Sequence, residues 1–249
     1  MKHHLYTENL GKTWGAFKAN SELSLRFEAG ARHAIIGPNG AGKTTFINLL
    51  TGVLTPTTGQ VFLGDKNITA LPQHERVRLG MTRTFQINTL FAGLTVLESV
   101  VLVISEREGL SRHWFKPVSA HTTAIEEALQ LLNKLQLAAQ AHDVTRSLPY
   151  GKQRLLEIAL ALATRPKILL LDEPAAGIPT KESAELFEVI AALPKEVTVL
   201  FIEHDMNLVF QFADYITVLV GGQCFAQGTP EQISQDPRVK EVYLGESHV

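Results

Sequence analysis

A chain of 249 residues, 45% hydrophobic and 19% charged, can bury one large core or a core with an added lobe. Its net charge of −2 excludes the basic footprint of a nucleic-acid or acidic-lipid binder. The single cysteine, Cys224, excludes an internal disulfide and fits a reducing, intracellular compartment.

Met1 to Leu10 lack the apolar core of a signal peptide. No run reaches the roughly 18 consecutive apolar residues of a spanning helix. The best, Leu155 to Ala163, is interrupted by Glu157. A soluble protein is expected, acting at a membrane only through partners. Short β-like runs alternating with helical patterns predict an α/β fold with a substantially parallel sheet. The early strands are read at Leu5–Asn9, Leu23–Phe27, His33–Ile36 and Gln60–Leu63, with a helix over Lys43–Leu50. From Leu90 to Gln140 the strand signals fade. Val96–Ser105 and Ala120–Leu137 carry helical spacing, separated by a polar, irregular stretch that contains Trp114 and Phe115. This reads as a helical lobe inserted into the α/β core. A helix at Gly151–Ala163 leads to a buried strand, Ile168–Leu171. Helix Lys181–Ala192, strand Val197–Ile202, helix Met206–Phe212 and strand Tyr215–Val220 follow. Thr229-Pro230-Glu231-Gln232 is a capping box with proline in the first turn, and Asp236-Pro237 repeats the cap-plus-proline device.

Gly37-Pro38-Asn39-Gly40-Ala41-Gly42-Lys43-Thr44 matches the phosphate-loop pattern G-x-x-x-x-G-K-[ST] at every fixed position. Glycines let the backbone curl so that successive N–H groups face phosphate oxygens. The following helix presents its positive end to the same anion. Lys43 reaches the β- and γ-phosphates, and the Thr44 hydroxyl can ligate Mg²⁺. A strand (Ala34-Ile35-Ile36) before the loop and a helix (Phe46 to Leu50) after it argue further against a chance glycine-rich turn.

The apolar strand Ile168 to Leu171 ends in Asp172-Glu173. Asp172 is placed to hold Mg²⁺ directly or through water, and Glu173 to activate the attacking water. A second buried strand ends in Glu203-His204-Asp205, which sets His204 at the strand end where open α/β sheets bind ligands. The other eight histidines read as structural or surface residues.

Thr82-Arg83-Thr84-Phe85-Gln86, Leu171-Asp172-Glu173-Pro174-Ala175-Ala176-Gly177, Phe201 to Met206 and the ending Val242-Tyr243-Leu244-Gly245-Glu246 carry a family likeness. Over essentially its whole length the chain resembles the ATP-binding subunits of ABC transporters. It is most similar to the branch serving bacterial importers of branched-chain amino acids and related amides or urea. The resemblance implies a P-loop NTPase core with an N-terminal antiparallel β subdomain and an inserted α-helical subdomain. It implies a single domain over 1–249, with core segments near 1–88 and 164–249 and a helical segment near 89–163.

The resemblance also implies roles. Trp14 stacks on adenine, with Phe17 a weaker candidate and a core tryptophan the competing reading. Thr45 joins the phosphate loop in holding ATP. Gln86 senses Mg²⁺ and the attacking water, Glu173 is the catalytic glutamate, and His204 is the switch histidine at the γ-phosphate. Two ATPase subunits, identical or different, sandwich two ATP molecules, each between one chain's phosphate loop and the other's signature segment. The implied partners are transmembrane permeases, a second ATPase subunit and, indirectly, a substrate-binding protein, at the cytoplasmic face of the inner membrane.

Two departures stand out. The signature segment is Leu148-Pro149-Tyr150-Gly151-Lys152-Gln153-Arg154, with Pro149 where the family usually carries serine. The loop after Pro174 reads Gly177-Ile178-Pro179 and lacks the family's aspartate. Both affect the ATP held by a partner chain. In a pair with a different ATPase, the site that uses Pro149 and Pro179 is expected to be the less active. A soluble ABC ATPase acting on DNA or ribosomes is the alternative, and those usually carry two cassettes or long coiled-coil insertions. An unrelated P-loop kinase or GTPase would leave the signature-like helix unexplained. Trp114 and Phe115 either dock a membrane partner or pack inside the helical lobe.

Overall fold

The computed structural model describes residues 3–84, 90–109 and 122–244. Gln86, Trp114 and Phe115 lie outside them. In chain order the elements are β1 (His3–Trp14), β2 (Phe17–Leu23), β3 (Arg26–Glu28), β4 (Arg32–Ile36), α1 (Lys43–Thr51), β5 (Thr58–Leu63), β6 (Lys66–Asn67), α2 (Gln73–Arg78) and β7 (Met81–Arg83). The helices α3 (Val96–Arg107), α4 (Thr122–Lys134) and α5 (Tyr150–Ala163) follow. The chain returns through β8 (Ile168–Asp172), α6 (Thr180–Ala191), β9 (Thr198–Ile202), α7 (Met206–Phe212), β10 (Tyr215–Val220), β11 (Gln223–Gly228), α8 (Pro230–Gln235) and α9 (Pro237–Leu244).

The chain forms two compact units. The first comprises Met1–Arg83, Lys167–Ala176 and Ile190–Val249. It contains a six-stranded sheet in the order β11-β10-β4-β9-β8-β7. From β10 to β7 all neighbours are parallel, and β11 closes the edge antiparallel to β10. Every residue of β4 and β9 is buried, as a strand covered on both faces requires, and apolar residues fill Ala34–Ile36 of β4 and Val199–Ile202 of β9. A second, antiparallel sheet runs β2-β1-β5-β6, with β3 also on β1. Leu5, Leu23, Phe27, Ile35, Phe46, Leu50, Leu170 and Leu200 share one core that takes in both sheets and α1.

The expected strand Leu23–Phe27 is corrected here. The chain breaks at Ser24 and Leu25, between β2 and β3. Thr7 fills the gap: its hydroxyl donates to Leu23 O at 2.7 Å and accepts from Leu25 N at 3.0 Å. Five elements that sequence reading passed over are β2, which it met only at Leu23, β6, α2, β7 and β11. The tail behaves as read: Thr229 and Gln232 form a capping box on α8.

Arg76 of α2 is 1% exposed. Its guanidinium donates to Leu49 O (2.8 Å), Leu50 O (2.6 Å), Thr69 O (2.8 Å) and Leu71 O (2.9 Å). It thereby satisfies carbonyls at the C-terminus of α1, where a cation also complements the helix dipole. Burial lowers its pKa to about 10, so it stays charged at neutral pH. Arg76→Met strands several buried carbonyls at once. A loss of about 3 kcal/mol or more is expected in urea denaturation.

His33 of β4 is 1% exposed, with Nε2 2.7 Å from Thr217 Oγ1 and its ring against Phe27 and Tyr215. Burial pushes its pKa from 6.5 down to about 3. Between those values the unfolded chain binds a proton that the folded chain refuses. Its contribution is therefore full above 6.5 and lost as pH falls toward 3. On going from pH 7 to pH 5 the wild type should lose about 2 kcal/mol more stability than His33→Phe. Parallel denaturation curves at the two pH values check this.

The second unit comprises Thr84–Pro166 and Gly177–Val189. Here α3, α4 and α5 pack on one another around Val96, Val100, Ile104, Ala128, Leu132 and Leu156. Thr95 and Glu98 form a capping box on α3. Arg107 ties the helices together, donating to Glu127 Oε2 at 2.7 Å and to Ala163 O at 2.6 Å. Residues 177–189, which the sequence reading kept with the core, belong to this unit. They approach α5 closely: a Cβ on Gly151 would lie 2.7 Å from Glu182 Oε2, and one on Gly177 would lie 3.3 Å from the Tyr150 hydroxyl.

Candidate active site

The loop Gly37–Gly42 leaves the C-terminal end of β4 and turns into α1. Gly42 has φ 92°, and a Cβ there would strike Ala19 O at 2.4 Å. A Cβ on Gly37 would meet Leu219 O at 2.2 Å, so both ends of the loop admit only glycine. Gly40 (φ 78°) differs: a Cβ there meets nothing within 4 Å among the described residues. Gly222 N donates to Ala41 O at 3.1 Å, and Asn20 Nδ2 donates to Gly42 O at 3.2 Å. Neighbouring segments thus hold the loop rigid from outside.

Lys43 opens α1, and Thr44 and Thr45 complete its first turn. No side chain caps this helix, which leaves its positive end for an anion. Lys43 is 7% exposed, and its Nζ donates to Gly37 O (2.6 Å) and Pro38 O (3.0 Å). The ammonium therefore sits inside the loop it is expected to serve.

Asp172 ends β8, and its Oδ2 pairs with Arg83 at 2.5 Å. Arg83 also donates to Asn48 Oδ1 of α1 at 2.6 Å. It so joins the acidic strand end to the phosphate-loop helix. Glu173 adopts φ 50°, a left-handed conformation that costs a side-chain-bearing residue roughly 1–2 kcal/mol. Its N–H donates to Ile202 O at 3.0 Å. Its Oε1 lies 2.8 Å from His204 Nε2, and both side chains are more than two-fifths exposed. That pairing sets the tautomer: Nε2 carries the proton. Phosphate loop, Asp172 and the Glu173–His204 pair all belong to the first unit.

Trp14 ends β1 and is 46% exposed, opposite Phe17 across the β1–β2 turn. Lys12 Nζ is 5.6 Å from the Trp14 ring centroid. This exposure removes the core-tryptophan reading. Pro149, Tyr150, Gly151 and Lys152 begin α5 in the second unit. Pro149 (φ −54°, ψ 150°) stands just before the helix, Tyr150 is exposed beneath Arg154, and Lys152 Nζ donates to Gln136 O at 3.1 Å. Two residues that sequence reasoning gave no role stand beside the site: Arg83, and Glu203, which is 5% exposed. An acidic residue between an apolar strand and a candidate histidine was the available signal for the latter.

The residues present suit a nucleoside triphosphate with Mg²⁺. The open curl at Gly40 and the uncapped helix end accept phosphate oxygens. One carboxylate and one hydroxyl match magnesium, which binds through few protein ligands and keeps waters and phosphates for the rest.

Residues 21–176 match the family described as ABC transporter. Residues 223–249 match a second family, described as branched-chain amino acid ATP-binding cassette transporter. The chain is 41% identical over 252 residues to the high-affinity branched-chain amino acid transport ATP-binding protein BraF of Pseudomonas aeruginosa, covering 98% of each. It is 40% identical over 250 residues to LivG of Escherichia coli K12, a protein of the same description, again covering 98% of each. Among solved structures it is similar to the ADP conformation of an ATP-binding cassette of an ABC transporter. The TM-score is 0.85 at 34% identity, covering 98% of this chain and 99% of the other.

Proposed function

Since this chain belongs to the ATP-binding subunits of ABC transporters and hydrolyses ATP to energise transport, we propose that it powers import of branched-chain amino acids or related small amides. BraF and LivG, matched from end to end, support the substrate class. Among the described residues no helix is long and apolar enough to cross a membrane. In this reading the cargo path lies in permease subunits, with this chain peripheral on the cytoplasmic side and a substrate-binding protein supplying cargo from outside. Nucleic acid has no part. Residues 1–249 act as one ATP-binding domain, with the α/β core and the helical segment as its two parts.

The observation that carries the chemistry is the meeting, within one unit, of the phosphate loop, Asp172 and the Glu173–His204 pair. In the reading proposed here, the loop amides, Lys43 and the first turn of α1 bind the phosphate chain. Trp14 stacks on adenine. Thr44, Asp172 and Gln86 hold Mg²⁺, which when bound neutralises charge on the β- and γ-phosphates. Glu173 accepts a proton from the attacking water, and His204, paired with that carboxylate, contacts the γ-phosphate. Tyr150, Gly151 and Lys152, with Pro149 ahead of them, serve the nucleotide of a partner ATPase. Loss of the bridging phosphate then lets the pair open, a rigid-body switch passed to the permease.

The test is uptake by proteoliposomes that contain the permeases, both ATPase subunits and the binding protein. ATP-dependent accumulation of leucine, isoleucine and valine is expected. ATP hydrolysis stimulated by the permeases without uptake of these amino acids would keep the motor and discard the cargo.

A further inference from the structure

Glu203 is the least expected group near the site. It is a carboxylate 5% exposed, and among the described residues the charged groups acting on it are Glu173 and His204. Burial raises its pKa, and two backbone amides oppose that shift. Both oxygens are used. Oε1 accepts from Ala175 N at 2.9 Å, and Oε2 accepts from His204 N at 3.1 Å.

These two amides belong to different loops. Ala175 follows Glu173 in Pro174-Ala175-Ala176-Gly177, and His204 starts the loop after β9. The parallel ladder between β8 and β9 ends at the pair Asp172–Ile202. Past it, one backbone bond remains, Glu173 N to Ile202 O at 3.0 Å. The Glu203 carboxylate then continues the connection where backbone pairing has run out. A buried carboxylate is costly unless its lone pairs are satisfied, and charge-assisted bonds to backbone N–H groups are among the stronger neutral–ionic contacts. The arrangement holds the backbones on either side of the 2.8 Å contact between Glu173 and His204.

We infer that Glu203 is a positioning residue for hydrolysis: its carboxylate fixes the loop bearing Glu173 against the backbone of His204, so that base and histidine move as one body. The inference rests on the ATPase reading and concerns how its two reacting side chains are held. It predicts that a disturbance at the histidine reaches Ala175, and with it the stretch running to Gly177, without passing through the phosphate loop. Glutamine at 203 keeps the shape but sets an NH₂ donor against one of the two N–H donors, so one anchor fails. Alanine leaves both amides without an acceptor.

The experiment compares wild type, Glu203→Gln, His204→Ala and the double variant in the full chain. ATP affinity, KM and kcat are measured for each, with thermal unfolding as a folding control. For Glu203→Gln, kcat should fall roughly 10- to 100-fold. ATP affinity and KM should stay within about two-fold, because the loop Gly37–Thr44 is untouched. Adding Glu203→Gln to His204→Ala should cost little more, since the two act as a unit. The inference is overturned by an unchanged kcat, by equal losses of affinity and kcat, or by fully additive effects. A wild type that neither binds nor hydrolyses ATP would instead overturn the ATPase reading. Should the variants not fold, amide hydrogen exchange of the wild type decides. Protection of the Ala175 and His204 amides comparable to the end of β9 supports the tie, and exchange at free-loop rates refutes it.

Discussion

Glu173→Gln is expected to lower ATP turnover by roughly 10²- to 10⁴-fold while ATP binding persists. The side chain of Glu173 emerges from a backbone at φ 50°, anchored by its own N–H to Ile202 O. This conformation aims the carboxylate away from β8 and toward His204. Glutamine is isosteric and keeps an oxygen for the His204 N–H at 2.8 Å, so the local fold survives. What it lacks is basicity. Water then sits beside a group that cannot take its proton, and the nucleotide stays uncleaved. Because Lys43 and the loop amides are unaltered, ATP still binds and the closed pair of ATPase subunits accumulates. Phosphate-release assays and size-exclusion chromatography with ATP and Mg²⁺ measure both halves of the prediction. Turnover at the wild-type rate would assign the base elsewhere.

Legibility in the sequence followed the reach of the interactions. The phosphate loop was readable because its chemistry is local: eight consecutive residues carry their own turn, charge and helix start. The strands β8, β9 and the Ala34–Ile36 part of β4 were readable because central parallel strands are largely apolar on both faces. β11 was not, since Gln223-Cys224-Phe225-Ala226-Gln227-Gly228 is an edge strand without alternation. Its clue lay in the Gly221-Gly222 turn, where both residues take positive φ. Likewise α2 is polar except for Val77, and the burial of its Arg76 depends on carbonyls from α1 and the loop before α2.

The same reasoning explains what was missed at the site. Arg83 meets Asp172 across 89 residues of sequence, and Glu203 meets Ala175 across 28. Arg83 has no signal in its strand-end pattern, and Glu203 has only its place between an apolar strand and a candidate histidine. Only the parallel stacking of β7, β8 and β9 brings their ends side by side. The family resemblance supplied roles for Glu173 and His204, but not the carboxylate that ties their backbones.

Lys43→Ala is expected to weaken ATP binding about a hundred-fold or more and to abolish measurable hydrolysis. Lys43 Nζ lies within the loop, 2.6 Å from Gly37 O and 3.0 Å from Pro38 O. The ammonium is therefore already desolvated, its side chain 7% exposed, before any phosphate arrives. Little solvation remains to be removed on binding, so its attraction for the anion is nearly fully expressed. A charge-assisted hydrogen bond is worth about 1.5–3 kcal/mol, and two such bonds to phosphate oxygens exceed two decades in affinity. Alanine also removes the ammonium donor from the carbonyls of Gly37 and Pro38, leaving Pro38 O only the Ala41 N–H, which loosens the curl that aims the amides. Lys43→Arg should not restore binding, because a planar guanidinium cannot enter a space filled by a compact ammonium. Calorimetric titration with ATP and Mg²⁺ separates the outcomes. Equal affinity in wild type and Lys43→Ala would mean that backbone amides alone grip the phosphates, and that this buried lysine serves only to hold the loop.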